Sequence, residues 1–197
     1  ELQVRTLVSQ GGRPIGEPYV VTSSESNVIQ QLRGEPALVR LQEVFDKLPT
    51  CDQELVQKGL FLGRVVSEYQ ESFEQGDFLG RNVAGVDEEN GSITVADYMR
   101  RGNTVQFHIR DAQTADGELD QLLTDLVKDD QFTPRGGLLF TCNGRGPRFF
   151  DLPHHDAGVV RQKLGEIPLA GFFAQGEIGP VGNQTFLHGF PASMILF

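Results

Sequence analysis

The segment that decides the fold is Gly137-Leu-Leu-Phe-Thr-Cys-Asn-Gly-Arg-Gly-Pro-Arg148. Residues 138–141 are short, bulky and uncharged, which is typical of a buried strand. Cys142, Asn143 and Arg145 follow at the carboxyl end of that strand, where α/β folds build their ligand sites. The segment therefore predicts a binding pocket, although it does not name a ligand.

A second glycine-punctuated segment, Gly171-Phe-Phe-Ala-Gln-Gly-Glu-Ile-Gly-Pro-Val-Gly-Asn183, has the same form. Glu177 lies in its apolar part, and a carboxylate there needs either an arginine or a ligand ammonium as its partner. We predict that Arg145 and Arg148 form a fork that binds a carboxylate, because the glycines beside Arg145 allow a ligand to approach the backbone closely. An arginine and a glutamate facing one pocket would suit the two charges of an amino acid. A structural ion pair, for example with Glu177 or Asp151, also explains the arginines.

Polar residues at the ends of both segments complete the candidate site. Cys142 and Asn143 are expected to line its floor, and Asn183 is expected to border it, although a turn residue needs no function. The candidate ligand-binding residues are Cys142, Asn143, Arg145, Arg148, Glu177 and Asn183.

Cys142 has two further interpretations. Nearby cationic groups, with His155 as a helper, would activate its thiol as a nucleophile. Against this, small cysteines at strand ends are usually packing residues. The sequence leaves both interpretations open.

Neither a metal site nor a phosphate loop is predicted. His154, His155, Asp156 and His188 have no metal-ligand spacing, and adjacent histidines at a helix start seldom face one ion. His155 or Asp156 is better explained as a helix N-cap. The glycines around Arg145 lack the Lys-Ser/Thr ending of a phosphate loop. We therefore expect no metal and no cofactor.

Short strands alternate with a few helices along the chain. Helical patterns begin at Pro36, at Thr50 with a capping box, at Asp111 or Thr114, and at His155 or Asp156. Strand patterns occupy residues 2–9, 19–22, 27–32, 60–66, 78–86, 92–96, 104–109, 138–141, 169–174 and 185–197. Residues 11–18, rich in glycine and proline, are expected to form a turn. This order predicts an α+β fold, in which a mixed, largely antiparallel sheet packs with three to four helices.

Charge excludes two classes of partner. The net charge is −10, from 27 acidic and 17 basic residues. With no basic stripe, we expect neither nucleic-acid binding nor attraction to an anionic membrane surface. No run approaches the roughly 20 apolar residues that span a bilayer, so we expect no membrane insertion.

The two cysteines indicate the cellular compartment, and the first residue indicates whether the sequence is part of a longer protein. Cys51 and Cys142 lie in unlike contexts, so a disulfide between them is unsupported and a reduced, cytoplasmic compartment fits better. The sequence starts at Glu1 without an initiator Met or a signal-peptide pattern. We therefore expect a piece of a longer protein.

Four segments, in order and spacing, resemble the C-terminal part of the FIST family of sensory domains. They are Gly76-Asp-Phe-Leu-Gly-Arg-Asn-Val83, Gly102-Asn-Thr-Val-Gln-Phe-His-Ile-Arg-Asp-Ala-Gln-Thr-Ala115, Phe140-Thr-Cys-Asn-Gly-Arg-Gly146 and Gly171-Phe-Phe-Ala-Gln-Gly-Glu-Ile-Gly-Pro180. The likeness runs from about Pro36 to the end, while the first 33 residues look like the tail of the family's N-terminal half. The resemblance implies two domains, residues 1–33 as a remnant of the FIST N-terminal part and residues 34–197 as the FIST C-terminal domain.

The resemblance implies a signal-input module. Family members are thought to bind small ligands, amino acids being the usual suggestion, and to lie beside signalling or F-box modules. We therefore expect a non-catalytic sensory domain for a small polar metabolite, with a signalling protein as a further partner. A thiol-dependent hydrolase or transferase using Cys142, and a structural protein-interaction domain, remain as alternatives.

Overall fold

Two units, each with its own sheet and apolar core, make up the chain in the computed structural model, which describes residues 2–70 and 72–197. One unit is Gly12–Arg110, and the other joins the residues up to Gly11 to Asp111–Phe197. Glu1, the first residue of the predicted segment 1–33, lies outside the described residues.

The described strands and helices follow in chain order. The strands are β1 (Arg5–Ser9), β2 (Gly12–Glu25), β3 (Val28–Leu32), β4 (Glu35–Pro36), β5 (Leu60–Val65), β6 (Phe78–Asp87), β7 (Ser92–Val95), β8 (Thr104–Arg110), β9 (Gly137–Cys142), β10 (Leu169–Ala174), β11 (Glu177–Val181), β12 (Gln184–His188) and β13 (Ala192–Leu196). The helices are α1 (Ala37–Lys47), α2 (Thr50–Gly59), α3 (Ala112–Val127), α4 (Pro147–Phe150) and α5 (His155–Leu164).

The unit Gly12–Arg110 is built on an antiparallel sheet of seven strands, in the order β2-β8-β5-β6-β7-β3-β4. Because β2 also pairs with β3, hydrogen bonding continues around a closed ring of six strands. Closure removes most of the open sheet edge. The apolar core of this unit includes Val21, Leu62 and Phe107, all fully buried, with α1 packed over β3 and β7.

The second unit carries a four-stranded sheet in the order β1-β13-β9-β10. Its β1–β13 and β13–β9 pairs are antiparallel, whereas β9 and β10 are parallel, so β10 is an edge strand. Helices α3 and α5 pack together, and their apolar faces meet the sheet in a core that includes Leu123, Val160 and Met194. The hairpin β11–β12 is a separate two-stranded sheet. This unit contains the candidate site.

The predicted α+β class, with mixed but largely antiparallel sheets, is confirmed. The turn predicted at residues 11–18 is wrong, because these residues open the long strand β2. Pairing of β2 with β8 shifts register between Ile15 and Tyr19, so the glycines and prolines there form a bulge rather than a turn.

The helix starts were predicted with mixed success. Asp111 caps α3, since its carboxylate accepts a hydrogen bond from the Gln113 backbone N–H. The capping box predicted at Thr50 is wrong, because α2 follows Pro49 without a side-chain cap. For α5 the cap residue is His154, in a left-handed conformation and again without a side-chain cap, rather than His155 or Asp156.

Candidate functional site

A cavity of about 330 Å³ lies beside the parallel strands β9 and β10 and the start of α5. Its lining comes entirely from the second unit. The lining residues are Leu139, Thr141, Arg145, residues 154–157, Arg161 and residues 169–173. The cavity therefore lies beside β9, the strand that ends at Cys142, and the ligand-binding role predicted for that strand end remains a prediction.

A buried ion pair forms part of the cavity wall. Arg145 follows β9 in a 3₁₀ turn and donates from Nε and Nη2 to the two carboxylate oxygens of Asp156, both at 2.9 Å. The two side chains are 0% and 3% exposed. Because both N–H groups form a parallel fork on one carboxylate, this pair holds the start of α5 against the end of β9.

His155 extends this pair towards the surface. Its ring stacks on Phe150, with centroids 3.6 Å apart and planes within 6°. Nδ1 lies 3.2 Å from Asp156 Oδ1, and Nε2 lies 2.9 Å from Asp116 Oδ1. Because both ring nitrogens face carboxylates, His155 is not placed as the base that the thiol-enzyme alternative requires.

The third nitrogen of Arg145, Nη1, is buried and has no hydrogen-bond partner among the described residues. It faces Gly11, where an added Cβ would lie 2.6 Å from Nη1 and the backbone φ is +67°. Gly11 also donates its N–H to Glu118, which accepts a second hydrogen bond from Ser9 Oγ at 2.9 Å. Burial raises the pKa of Glu118, and these hydrogen bonds and the Arg145 charge partly offset that rise.

Glu177 is a second unusual buried group. The residue is 3% exposed, and neither carboxylate oxygen has a hydrogen-bond partner in the described part of the chain. Burial raises the pKa of Glu177, and the neighbouring backbone N–H groups of Gly176 and Glu177 and the charge of Arg145 oppose that rise. Glu177 is paired across the hairpin with His188 and does not line the cavity. The predicted partner of Arg145 in an ion pair, Glu177 or Asp151, is therefore replaced by Asp156.

The other predicted site residues surround the same strand end but do not line the cavity. Cys142 is buried at the end of β9, where its Sγ accepts a hydrogen bond from the Gly144 N–H at 3.5 Å. Asn143, Arg148 and Asn183 are exposed, in the 3₁₀ turn, in α4 and in the β11–β12 turn respectively. Of the six candidates, Arg145 alone lines the cavity, and the ligand role of all six remains a prediction.

Several lining residues were not singled out from the sequence. Phe172 and Phe173 were assigned to a strand, yet they are 66% and 48% exposed because β10 is an edge strand. Arg161 lies on α5, two turns after the helix start, where the sequence shows only an ordinary surface residue. Asp156 was noted in the sequence only as an alternative N-cap of this helix, whereas it lies in the first turn and pairs with Arg145.

Comparison with known families decides the identity. The sequence model described as FIST C domain matches residues 37–180, and that of the FIST N domain matches residues 1–35. The chain belongs to the FIST family. FIST domains are sensory and signal-transduction domains, and the resemblance inferred from the four segments is confirmed. The two matches meet near the predicted boundary at residues 33 and 34, whereas the compact units divide the chain differently, so the domain assignment remains a prediction.

Relatives of this FIST chain include an uncharacterized protein of Mycobacterium tuberculosis, 50% identical over 98% of this chain and 50% of the relative. An uncharacterized protein of Mycobacterium bovis is 46% identical, over 97% of this chain and 50% of its own length. An F-box/LRR-repeat protein of Arabidopsis thaliana is 29% identical over 46% of this chain and 20% of its own. The chain spans about half the length of the mycobacterial relatives.

Three structural findings bear on other predictions. Both cysteines are free thiols, Cys51 exposed and Cys142 buried. Within residues 2–70 and 72–197, no helix has the length and apolar character to cross a bilayer. The same residues contain no group of three histidine, cysteine or carboxylate side chains able to hold a metal ion.

Proposed function

We propose that this FIST chain binds a small polar metabolite in the cavity beside β9, β10 and α5, and does so without catalysis. The observation that carries the proposal is the cavity itself, which combines the Arg145–Asp156 ion pair with the apolar side chains of Leu139, Leu169 and Phe173. Small-molecule sites typically combine apolar walls with a few fixed polar groups. A sensory domain needs such a site for its signal.

Ligand binding would be transmitted through the start of α5. Since Arg145 and Asp156 connect that helix to the end of β9, a ligand that contacts the pair in only one arrangement would favour that arrangement. The change would alter contacts with an attached or separate signalling protein. The F-box/LRR-repeat relative supports this coupling. Its name assigns it an F-box and leucine-rich repeats in addition to the region that resembles this chain.

An amino acid is one candidate ligand class. The buried carboxylate of Glu177 has no hydrogen-bond partner among the described residues, and an ammonium group would supply one. In an amino-acid site, Arg145 would bind the ligand carboxylate, and the surrounding residues would be Cys142, Asn143, Arg148 and Asn183. The ligand would also have to reach Glu177, which does not line the cavity.

A screen of metabolites by thermal shift tests the proposal, read with a dye because the chain has no Trp. A ligand that binds the folded protein should stabilise it increasingly with concentration, following RT ln(1 + [L]/Kd). Ala157 lines the cavity one helical turn before Arg161, so Ala157→Phe should fill the space and abolish the shift. The matched control is Ala84→Phe, at an exposed strand position in the other unit, which should leave the shift intact. A ligand that stabilises both variants equally binds elsewhere and contradicts the proposal.

One observation favours a protein-interaction domain as a second candidate. Ile178 and Leu187 face each other across the β11–β12 hairpin and are 68% and 61% exposed, in addition to the exposed phenylalanines of β10. Apolar patches of this kind often mark interfaces. A screen with no stabilising metabolite, together with partner binding lost in Ile178→Ser and Leu187→Ser, would favour this second candidate.

A further inference from the structure

The cavity carries more positive than negative fixed charge, although the chain as a whole is acidic. Its lining contains two guanidinium groups, from Arg145 and Arg161, and one carboxylate, from Asp156. Asp156 neutralises Arg145 in the buried ion pair. Arg161 is exposed and has no ion-pair partner in the described part of the chain. One positive charge therefore remains for a ligand.

The start of α5 adds to this positive potential. The helix has ten residues, and its first turn lines the cavity without a capping side chain at His154. Uncapped N–H groups at a helix start attract negative charge. The carboxylate of Asp156, in the first turn, does not offset this positive potential, because both of its oxygens accept hydrogen bonds from Arg145.

The lining offers a ligand ammonium no free carboxylate. Asp156 is its only carboxylate, and Oδ1 already accepts from Arg145 Nη2 and lies 3.2 Å from the ring of His155, while Oδ2 accepts from Arg145 Nε. Glu177 does not line the cavity. An ammonium placed there would face the unpaired charge of Arg161, which repels it.

The remaining wall is apolar and includes one aromatic side chain. Phe173 is 48% exposed and lies on the same face of the sheet as Leu139 and Leu169, which are also in the lining. A flat apolar body laid against these residues would remove their exposed surface from water.

We propose that the cavity binds a carboxylate with an apolar, preferably aromatic, body and no ammonium group. The carboxylate contacts Arg161 and the N–H groups at the start of α5, and the apolar body covers the ring of Phe173 in β10. This inference rests on the proposed function and specifies its ligand class: carboxylic acids, not amino acids.

Four compounds that share one phenyl group test the charge preference. They are 3-phenylpropionate (carboxylate only), L-phenylalanine (both charges), phenethylamine (ammonium only) and 3-phenylpropanol (no charge). Binding to the whole chain is measured by isothermal titration calorimetry. We expect 3-phenylpropionate to bind at least about tenfold more tightly than each of the other three, a difference of about 1.4 kcal/mol.

Variants locate the bound carboxylate. Arg161→Gln should weaken 3-phenylpropionate by about fivefold, the scale of one solvent-accessible ion pair, and should leave 3-phenylpropanol unchanged. Arg135→Gln is the matched control, because Arg135 is also exposed but does not line the cavity. Ala157→Phe should abolish binding of all the phenyl compounds that bind.

The outcomes separate this inference from the proposed function. Tighter binding of phenylalanine or phenethylamine that Ala157→Phe abolishes overturns the charge preference and keeps the cavity as the site. No binding by the four compounds overturns the inference, while the wider metabolite screen still decides the proposed function. Binding of 3-phenylpropionate that survives Ala157→Phe places it outside the cavity and overturns the inference, and the metabolite screen again decides the proposed function.

Discussion

Arg145 and Asp156 form a two-pronged ion pair with almost no exposure to solvent, with both N–O distances at 2.9 Å. Removing one partner of such a pair leaves an uncompensated buried charge, which typically costs about 3–5 kcal/mol. We expect Arg145→Met to lower the free energy of unfolding by this amount in urea denaturation. The double variant Arg145→Met/Asp156→Leu should recover most of the loss, since neither charge of the pair is then left buried without its partner. Equal losses in the single and double variants would contradict this account.

Glu177 is expected to lower the stability of the folded chain at neutral pH. Burial raises its pKa, so the folded state binds a proton more readily than the unfolded state does. Stability therefore falls as the pH rises from the ordinary glutamate pKa through the raised one. Glu177→Gln should raise the melting temperature at pH 7, with the gain disappearing as the pH falls towards 4.

The control for Glu177 is Glu166→Gln, at an exposed position in the same unit. It should change the melting temperature little at any pH. If Glu177→Gln lowers stability at pH 7, Glu177 has a stabilising partner and the explanation from burial is wrong.

We expect the folded chain to lose stability in mild acid because His108 is buried. Its ring is buried between Phe61 and Phe78, and burial lowers its pKa to about 4. The unfolded state takes up a proton near pH 6.5 while the folded state does not, so stability is complete above that value and declines as the pH falls towards 4. Between pH 8 and pH 5 the loss from this one group is about 2 kcal/mol.

Chemical denaturation at several pH values checks this. His108→Phe should remove that part of the pH dependence, whatever its effect at pH 8. Leu62→Ala, which truncates a buried side chain in the same unit, should lose stability at every pH and keep the pH dependence. An unchanged slope in His108→Phe would show that other groups cause the acid sensitivity.

Two glycines should respond oppositely to alanine. Gly117 lies in the interior of α3, and an added Cβ would meet no atom within 4 Å, so Gly117→Ala should stabilise the chain by about 1 kcal/mol through helix propensity. Gly171 has a φ of +156°, and an added Cβ would overlap the Leu139 carbonyl of the neighbouring strand. Gly171→Ala should therefore separate β10 from β9 and lower the melting temperature by several degrees. Similar effects of the two substitutions would contradict the β9–β10 geometry.

Much of the fold follows from local sequence patterns. The apolar run before Cys142 becomes β9 because a short uncharged segment is stable only when buried. Asp111, one of the two predicted caps with Thr114, is the cap of α3, since its side chain accepts from a nearby backbone N–H, a contact that needs no distant partner. The bulge in β2 was missed because glycine and proline mark both turns and bulges, and only pairing with β8 distinguishes them.

The sequence alone determined the family, the α+β class and the strand end near which the candidate site lies, since these depend on patterns within short segments. The tertiary structure decided which charges meet. Arg145 was matched in advance with Glu177 or Asp151, but the packing of α5 against β9 places Asp156 in its fork. It also decided that Phe172 is exposed beside a cavity, because β10 is an edge strand. Both outcomes depend on contacts between segments distant in sequence, and such contacts leave no periodic signal in either segment.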